Sequence, residues 1–523
     1  FLKVLGIIVL ILLIILIVKS IKGDKAVETS SNDENAPITT ASQTVENEIQ
    51  PEEPEQQEQQ KVKKEITDWN LRLANYENIL PEDFEVEVAN IDDTRQFDVR
   101  AIKYLTQMMN DMRKDGISNI WVQSAYRSVE RQKELYDNSV QKYLKQGKTQ
   151  EEAEKLTDEY INKPGSSDHN LALAVDFNYV DNKFEDLDGF KWLKENAENY
   201  GFILRYPKDK ESITGYNYEP WHIRYVGYLP AKIIYENNLT LEEYLTSYGT
   251  VLYINKPKGV TSFDVVNRIS KLFGIKRVGH TGTLDPLATG VLIVTVGTAC
   301  KVVELLTSHD KEYIATVDLG YSTDTLDIEG KVLEKKEVPK NLNIEEVLKS
   351  FKKTYLQEVP IYSAVKVNGK KLYEYARGNI EVELPKKSVT IKEIELIEKN
   401  NNSFKFRCLV TKGCYIRSLI RDIGKSLNTL ATMTDLIRTK QGNITIDETD
   451  DIKSNYTLHS IIDSLNYDKI VVDNLLEKKI KNGMPLENTF NVKDKVIFIN
   501  KSNKLLGIYE KDGNNLKVWK NFV

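Results

Sequence analysis

The sequence predicts a multidomain α+β protein made of two unlike halves, and three observations carry that expectation. At 523 residues the chain is longer than one hydrophobic core sustains. Apolar residues at helical spacing alternate with short runs of period two. The charge also changes sign along the chain. Residues 251–523 hold 43 Lys and Arg against 34 Asp and Glu, a net of +9, whereas residues 1–250 hold 29 against 44, a net of −15. The basic half is the better candidate for contact with nucleic acid. A hydrophobic fraction of 41% excludes a wholly disordered chain. Three scattered cysteines, Cys300, Cys408 and Cys414, exclude a disulfide framework.

The chain begins at Phe1 rather than Met, so an incomplete N-terminus is expected. Val4 to Val18 are apolar except for Gly6, and with Phe1 and Leu2 they reach the length of a bilayer span. No small-residue cleavage site follows. Residues 1–22 are therefore expected to be an uncleaved transmembrane anchor. Lys19, Lys22 and Lys25 beyond it outnumber Lys3 before it, which leans toward a cytoplasmic C-terminal side. Residues 23–66, rich in Glu, Gln, Ser, Thr and Pro, are expected to be a disordered linker.

Trp69 marks the return of globular sequence, and the first folded unit is expected over 67–247. Val99, Ile102, Leu105, Met109 and Met112 predict a helix closed near Gly116. Ile120 and Val122 alternate as in a strand. Thr149 and Glu152 form a capping-box pair, and a further helix is expected to end at Tyr200-Gly201. The next strand, VLYINKPKG, starts at Val251 with no spacer. A second folded unit is expected over 250–466. Short alternating runs such as KVIFIN and LLGIYE predict a small β domain over 467–523.

His169, Asp176 and His222 form the first constellation. Two imidazoles and a carboxylate, with a fourth position open to water, suit a catalytic Zn2+ ion. Glu219, three residues before His222, is the candidate proton carrier, and Arg127 the candidate for stabilising substrate charge. On spacing alone a structural or exposed role is commoner for any one histidine. The segments SAYRS, SSDHNLALAVDFN, NAENYGFILRYP and TGYNYEPWHIRYVG together resemble the VanY-type D-alanyl-D-alanine carboxypeptidases. That resemblance implies His169, Asp176 and His222 as zinc ligands, Glu219 as general base, Arg127 as substrate-binding, and a peptidoglycan stem peptide ending in D-Ala as partner. Ala172 stands where the family usually has Gly.

Asp285, in VGHTGTLDPLATGVL, forms the second constellation with Tyr313 and Arg417. An aspartate before proline is most often a turn former. Tyr313 lies on an alternating strand whose odd positions share one face, and Arg417 opens an amphipathic helix. GHTGTLDPLATGVL, YSAVKVNGKKLYEYAR and GCYIRSLIRDIG resemble the TruB-type tRNA pseudouridine(55) synthases. The resemblance implies Asp285 as a nucleophile acting through a covalent intermediate, with no cofactor. It implies Arg417 as the partner of Asp285, Tyr313 packed on the base, and His280 holding a flipped-out nucleotide. Lys276, Arg277, Lys366, Lys370 and Lys371 are candidate phosphate contacts. By the same resemblance the C-terminal β domain is PUA-like, and the fold class becomes an α+β zinc peptidase joined to a mixed α/β synthase. Leu326 replaces Gly in the family's acidic stretch and is expected to be a loop change away from the chemistry. The two activities imply opposite locations, tRNA in the cytoplasm and peptidoglycan outside it. An alternative leaves only the anchored carboxypeptidase active, with the C-terminal half an RNA-binding module.

Overall fold

The computed structural model describes residues 69–158, 160–453 and 456–522. The expected anchor at 1–22 and linker at 23–66 lie outside the described residues. Among the described residues no helix is long and apolar enough to cross a membrane. The longest, Val129–Lys145, has 17 residues and carries charge along its length, whereas a span needs about 20 apolar ones. The expectation of a membrane-anchored chain with the membrane as partner is corrected on that ground: no described element supplies an anchor.

Residues 65–523 pack as one compact unit. Its first part is built on a four-stranded antiparallel sheet, β1 (Val122–Ser124), β2 (Ala174–Phe177), β3 (Phe202–Leu204) and β4 (His222–Tyr225), in the order β1-β2-β4-β3. The expected first helix runs Ile102–Lys114 and buries Leu105, Met108, Met109 and Met112. Val99 precedes it and is exposed, because the chain enters the helix only after the buried Ala101. Thr149 and Glu152 cap each other reciprocally. The turn Ala197–Tyr200 closes on Gly201 at φ +85°, where a Cβ would lie 2.8 Å from the Tyr225 ring and 3.0 Å from the Gly227 backbone. Only glycine meets both demands.

The second part is a ten-stranded sheet. Its main strands are β5 (Gly249–Lys256), β6 (Thr289–Gly297), β7 (Lys311–Leu319), β8 (Thr354–Glu358), β9 (Lys386–Lys399), β10 (Ser403–Val410) and β11 (Ala431–Gln441). They lie in the order β8-β9-β10-β7-β11-β6-β5, with Asp450–Asp451 beyond β5. Along β7 every odd position is buried and every even one is not, as its alternation predicts. The third part is a five-stranded sheet, β12 (Asp468–Val471), β13 (Leu486–Glu487), β14 (Lys495–Ile499), β15 (Leu505–Asp512) and β16 (Asn515–Asn521), ordered β12-β14-β15-β16-β13. Helix Asn474–Lys481 packs on it through Ile480.

The first two parts share one core. Leu71, Val226, Ile233, Leu241 and Tyr244 belong to the same buried cluster as Leu252, Ile269, Phe273 and Val296. The Tyr244 hydroxyl donates to the Phe273 carbonyl at 2.7 Å, so this phenol is satisfied across the join. Leu71 fills the space beside Gly274, where even a methyl would clash with it. Truncating Leu71 removes buried apolar contact that both parts use. Leu71→Ala is expected to cost about 2–4 kcal/mol, read by urea denaturation of the full chain. Tertiary structure of the first and second parts should be lost together at lower urea; a shift of the first part alone would refute a shared core.

Candidate active sites

The first site forms because three short features converge. In the register of β2 with β4, Asp176 and His222 are direct cross-strand partners, which brings their side chains to one face. His169 lies in the 3-10 turn Asp168–Leu171, fixed at its start by a capping box between Ser167 and Asn170. The turn ends at Ala172 in the left-handed region, φ +55°. This explains why glycine is usual there: a β-carbon in that conformation costs about 1–2 kcal/mol.

His169 Nε2 lies 3.1 Å from Asp176 Oδ2, and His222 Nδ1 lies 3.0 Å from Asp176 Oδ1. All three side chains are buried. The other nitrogen of His169 donates to the Ala125 carbonyl at 2.7 Å, leaving Nε2 as the lone-pair atom aimed at the cluster. Burial, opposed by the Asp176 charge, moves His169 toward its neutral, ligating form. Ligands about 2.0–2.1 Å from one cation stand roughly 3.3 Å apart at tetrahedral angles, and one atom from each of the three side chains lies within 4.8 Å of the others, near enough to close on one ion. The donor set fits zinc.

Glu219 Oε2 is 3.6 Å from His222 Nδ1. Burial, then the Asp176 charge, pushes its carboxyl up to about 8. Arg127 is held by Gln132 at 2.9 Å and Ser124 at 3.2 Å, and its charge is felt by both His169 and Glu219. Behind the cluster Asp168 is fully buried and paired with Arg205, at 2.9 Å, and with Arg224.

The second site centres on a forked ion pair. Arg417 Nε lies 2.9 Å from Asp285 Oδ2, and its Nη2 donates to Oδ1 at 3.1 Å. Arg417 opens helix Ile416–Ser426 and is buried, while a third of the Asp285 side chain is open to solvent. Two further guanidinium hydrogens go to the carbonyls of Thr325, at 2.8 Å, and Tyr362, at 3.0 Å. Such a filled, planar fork fixes the carboxylate in direction as well as position, which a lysine cannot do. The Asp285 loop is held in turn by Ser262, whose hydroxyl bridges the N–H and C=O of Leu284. Buried Lys256 donates to the Val260 carbonyl at 2.6 Å and to that of Pro286 at 3.4 Å, and burial pushes its ammonium down to about 8.

Tyr313 is buried on β7 beside Arg438 of β11. Arg438 also donates to the carbonyls of Val291 and Gly282, tying the tyrosine to the loop that carries Asp285. His280 ends the short strand Val278–His280 on β6 and accepts from the Gly282 N–H at 3.3 Å. Burial and Arg438 lower its affinity for a proton. The remaining candidates form two separate groups. Lys276 and Arg277 are exposed just before that strand. Lys366, Lys370 and Lys371 sit on a two-residue hairpin turned by Asn368-Gly369, both at positive φ.

One expectation is corrected. Leu326 is not remote from the chemistry. It holds φ +66° between Thr325, whose carbonyl binds Arg417, and Asp327, whose carboxylate is 3.9 Å from Arg417 Nε. Sequence reasoning also missed Lys256, Asp327, Arg438 and the Asp168 pairs. Lys256 lies inside the strand segment VLYINKPKG and Asp327 directly after Leu326 in the acidic stretch, both already noticed; Arg438 sits in a strand with no motif to mark it.

A buried histidine–aspartate–histidine cluster and a guanidinium-gripped aspartate define a chain with two enzyme centres. Residues 270–416 match the sequence profile of the TruB family pseudouridylate synthase, N-terminal domain, and residues 94–228 match that of D-alanyl-D-alanine carboxypeptidase. A tRNA pseudouridine synthase B of Oceanobacillus iheyensis is 45% identical over 284 residues, covering 51% of this chain and 93% of the relative. Through its C-terminal half the chain belongs to the TruB family of pseudouridine synthases, with a VanY-type carboxypeptidase region fused ahead of it. Among solved structures, VanYB in complex with D-alanine-D-alanine is 39% identical, covering 34% of this chain and 97% of that one, with a TM-score of 0.31. A VanY variant in complex with Zn(II) is also 39% identical, covering 34% and 99%, with a TM-score of 0.30.

Leu326→Gly removes a left-handed β-carbon without touching Arg417. It is expected to stabilise the chain by about 1 kcal/mol, the strain less the added chain entropy of glycine. A raised urea midpoint checks this; an unchanged or lowered midpoint would show that the leucine side chain itself holds the loop.

Proposed function

We propose that one chain carries two activities: isomerisation of uridine to pseudouridine at position 55 in the T-loop of tRNA, and zinc-dependent removal of terminal D-Ala from peptidoglycan precursors. Residues 67–247 form the peptidase, 250–466 the synthase, and 467–523 a PUA-like appendage that meets the acceptor side of tRNA. The observation that carries the reading is the forked pair of Asp285 and Arg417 within a TruB-family sequence.

In the synthase, the partly exposed Asp285 carboxylate attacks the ribose carbon of the nucleoside and the glycosidic bond breaks. The uracil turns, C5 joins the ribose and displaces the Asp285 carboxylate, and the C5 proton is lost while N1 takes one up, so the product is an isomer. Arg417 keeps the carboxylate aimed throughout, and Tyr313 supports the base from the floor of the site. The target uridine must leave its stack, with His280 beside the opening. The Lys366–Lys371 hairpin and the Lys276-Arg277 pair supply phosphate contacts, which makes binding salt-dependent.

In the peptidase, His169, Asp176 and His222 hold the metal. When bound, zinc supplies Lewis acidity toward a peptide carbonyl and makes water more acidic. Glu219, 3.6 Å from His222, accepts a proton at Oε2 and returns it to the leaving amine. Arg127 aligns the C-terminal carboxylate of the peptide, a charge its own fixed hydrogen bonds leave it free to face.

Two measurements test these assignments. Asp285→Asn in the full chain is expected to reduce pseudouridine formation in unmodified tRNA to background while tRNA binding persists; conversion by the variant would remove Asp285 as nucleophile. Chelation is expected to abolish D-Ala release from a stem pentapeptide, and added Zn2+ to restore it, with pseudouridine formation unchanged. Release that survives metal removal would exclude the zinc assignment.

A further inference from the structure

The carboxypeptidase profile ends at residue 228, yet the charge network behind the zinc cluster does not. Asp168, Arg205 and Arg224 have fully buried side chains, one negative and two positive. Alone they would leave an excess positive charge against a site built for a dication. The balancing group is Glu242, on helix Leu241–Thr246, the last helix before β5. Its carboxylate is forked onto Arg205, Oε1 at 2.6 Å from Nη2 and Oε2 at 3.0 Å from Nη1, with a side chain only 13% exposed.

Arg205 passes this contact on. Its Nε binds Asp168 Oδ2 at 2.9 Å, and that same oxygen lies 4.0 Å from His222 Nε2. His222 Nε2 is buried and has no hydrogen-bond partner. With Nδ1 turned to the cluster, Nε2 is the nitrogen that carries the ring proton, and Asp168 is the carboxylate it faces. We propose that Glu242 is a positioning residue of the zinc centre, supplied by the junction helix: it neutralises Arg205 so that the Asp168 charge remains available to the proton-bearing side of His222. This rests on the zinc reading of the cluster. The same helix is tied to the synthase part through Tyr244, so the element joining the two halves also completes the peptidase site.

The test is zinc affinity of the full chain, measured by competition with a chromophoric chelator. Loss of an outer-shell partner typically weakens metal binding roughly 10–100-fold, and Glu242→Gln is expected to weaken it about tenfold. Glu243→Gln is the control within the helix. It removes the Lys210 ion pair, keeps the capping box with Thr240 through its backbone N–H and the glutamine amide oxygen, and leaves Arg205 untouched, so zinc affinity should not move. The double variant Arg205→Gln/Glu242→Gln restores charge balance around Asp168 and Arg224. Its zinc affinity should return to within about threefold of the parent, even at lower stability. Parent-like affinity in Glu242→Gln, an equal loss in Glu243→Gln, or no recovery in the double variant would overturn the proposal. If Glu242→Gln does not fold, the double variant decides alone by the same criterion. A parent chain that binds no zinc would instead bring down the zinc reading itself.

Discussion

Two residues, Ser247 and Tyr248, separate the junction helix Leu241–Thr246 from β5, and that short connection constrains everything around it. With no slack, the apolar face of the peptidase end must settle directly on the synthase. The result is a single buried cluster running from Leu71 through Tyr244 to Phe273 and Val296. A longer linker would have let each half close its own surface. Here the first half depends on α/β sheet packing from the second, and helix Ser262–Phe273 receives a hydrogen bond at one end while its Ser262 end grips the Asp285 loop.

The two centres use charge in opposite ways. In the synthase a single guanidinium directs four of its five N–H groups onto one carboxylate and two carbonyls, so Asp285 is fixed yet partly open to solvent. In the peptidase region the two imidazoles and the carboxylate are buried and converge at about 3 Å, a donor set that suits a cation. The proposed nucleophile would have to be reached by substrate, whereas the proposed metal site would have to be shielded from water, and the exposures of Asp285 and of the His169, Asp176 and His222 cluster match those two roles.

Much of this was legible in the sequence because the informative residues were local. The ligands sit on a capped turn and two paired strands, and the odd positions of β7 declared their common face by alternation alone. Helix Ile102–Lys114 was visible too, although its start slipped from Val99 to Ile102 because periodicity does not register where a buried alanine opens a helix. What stayed hidden was built by distance. Asp168, Arg205, Arg224 and Glu242 meet across 74 residues with no shared period, and Arg438 reaches Gly282 from a strand far along the chain. Leu326 was misjudged for a different reason: a backbone dihedral, not a side-chain type, decides what that position does. The anchor expected at 1–22 had only an apolar run behind it, and the described fold adds nothing to it.

The shared core also has a meaning in descent. Two enzymes joined by a loose tether drift separately, each filtered by its own reaction. Here a substitution at Leu241 or Tyr244 alters the packing of both at once, so selection examines it twice. Positions on that face answer to two packing demands at once, and removing either half would expose the apolar surface that the other covers.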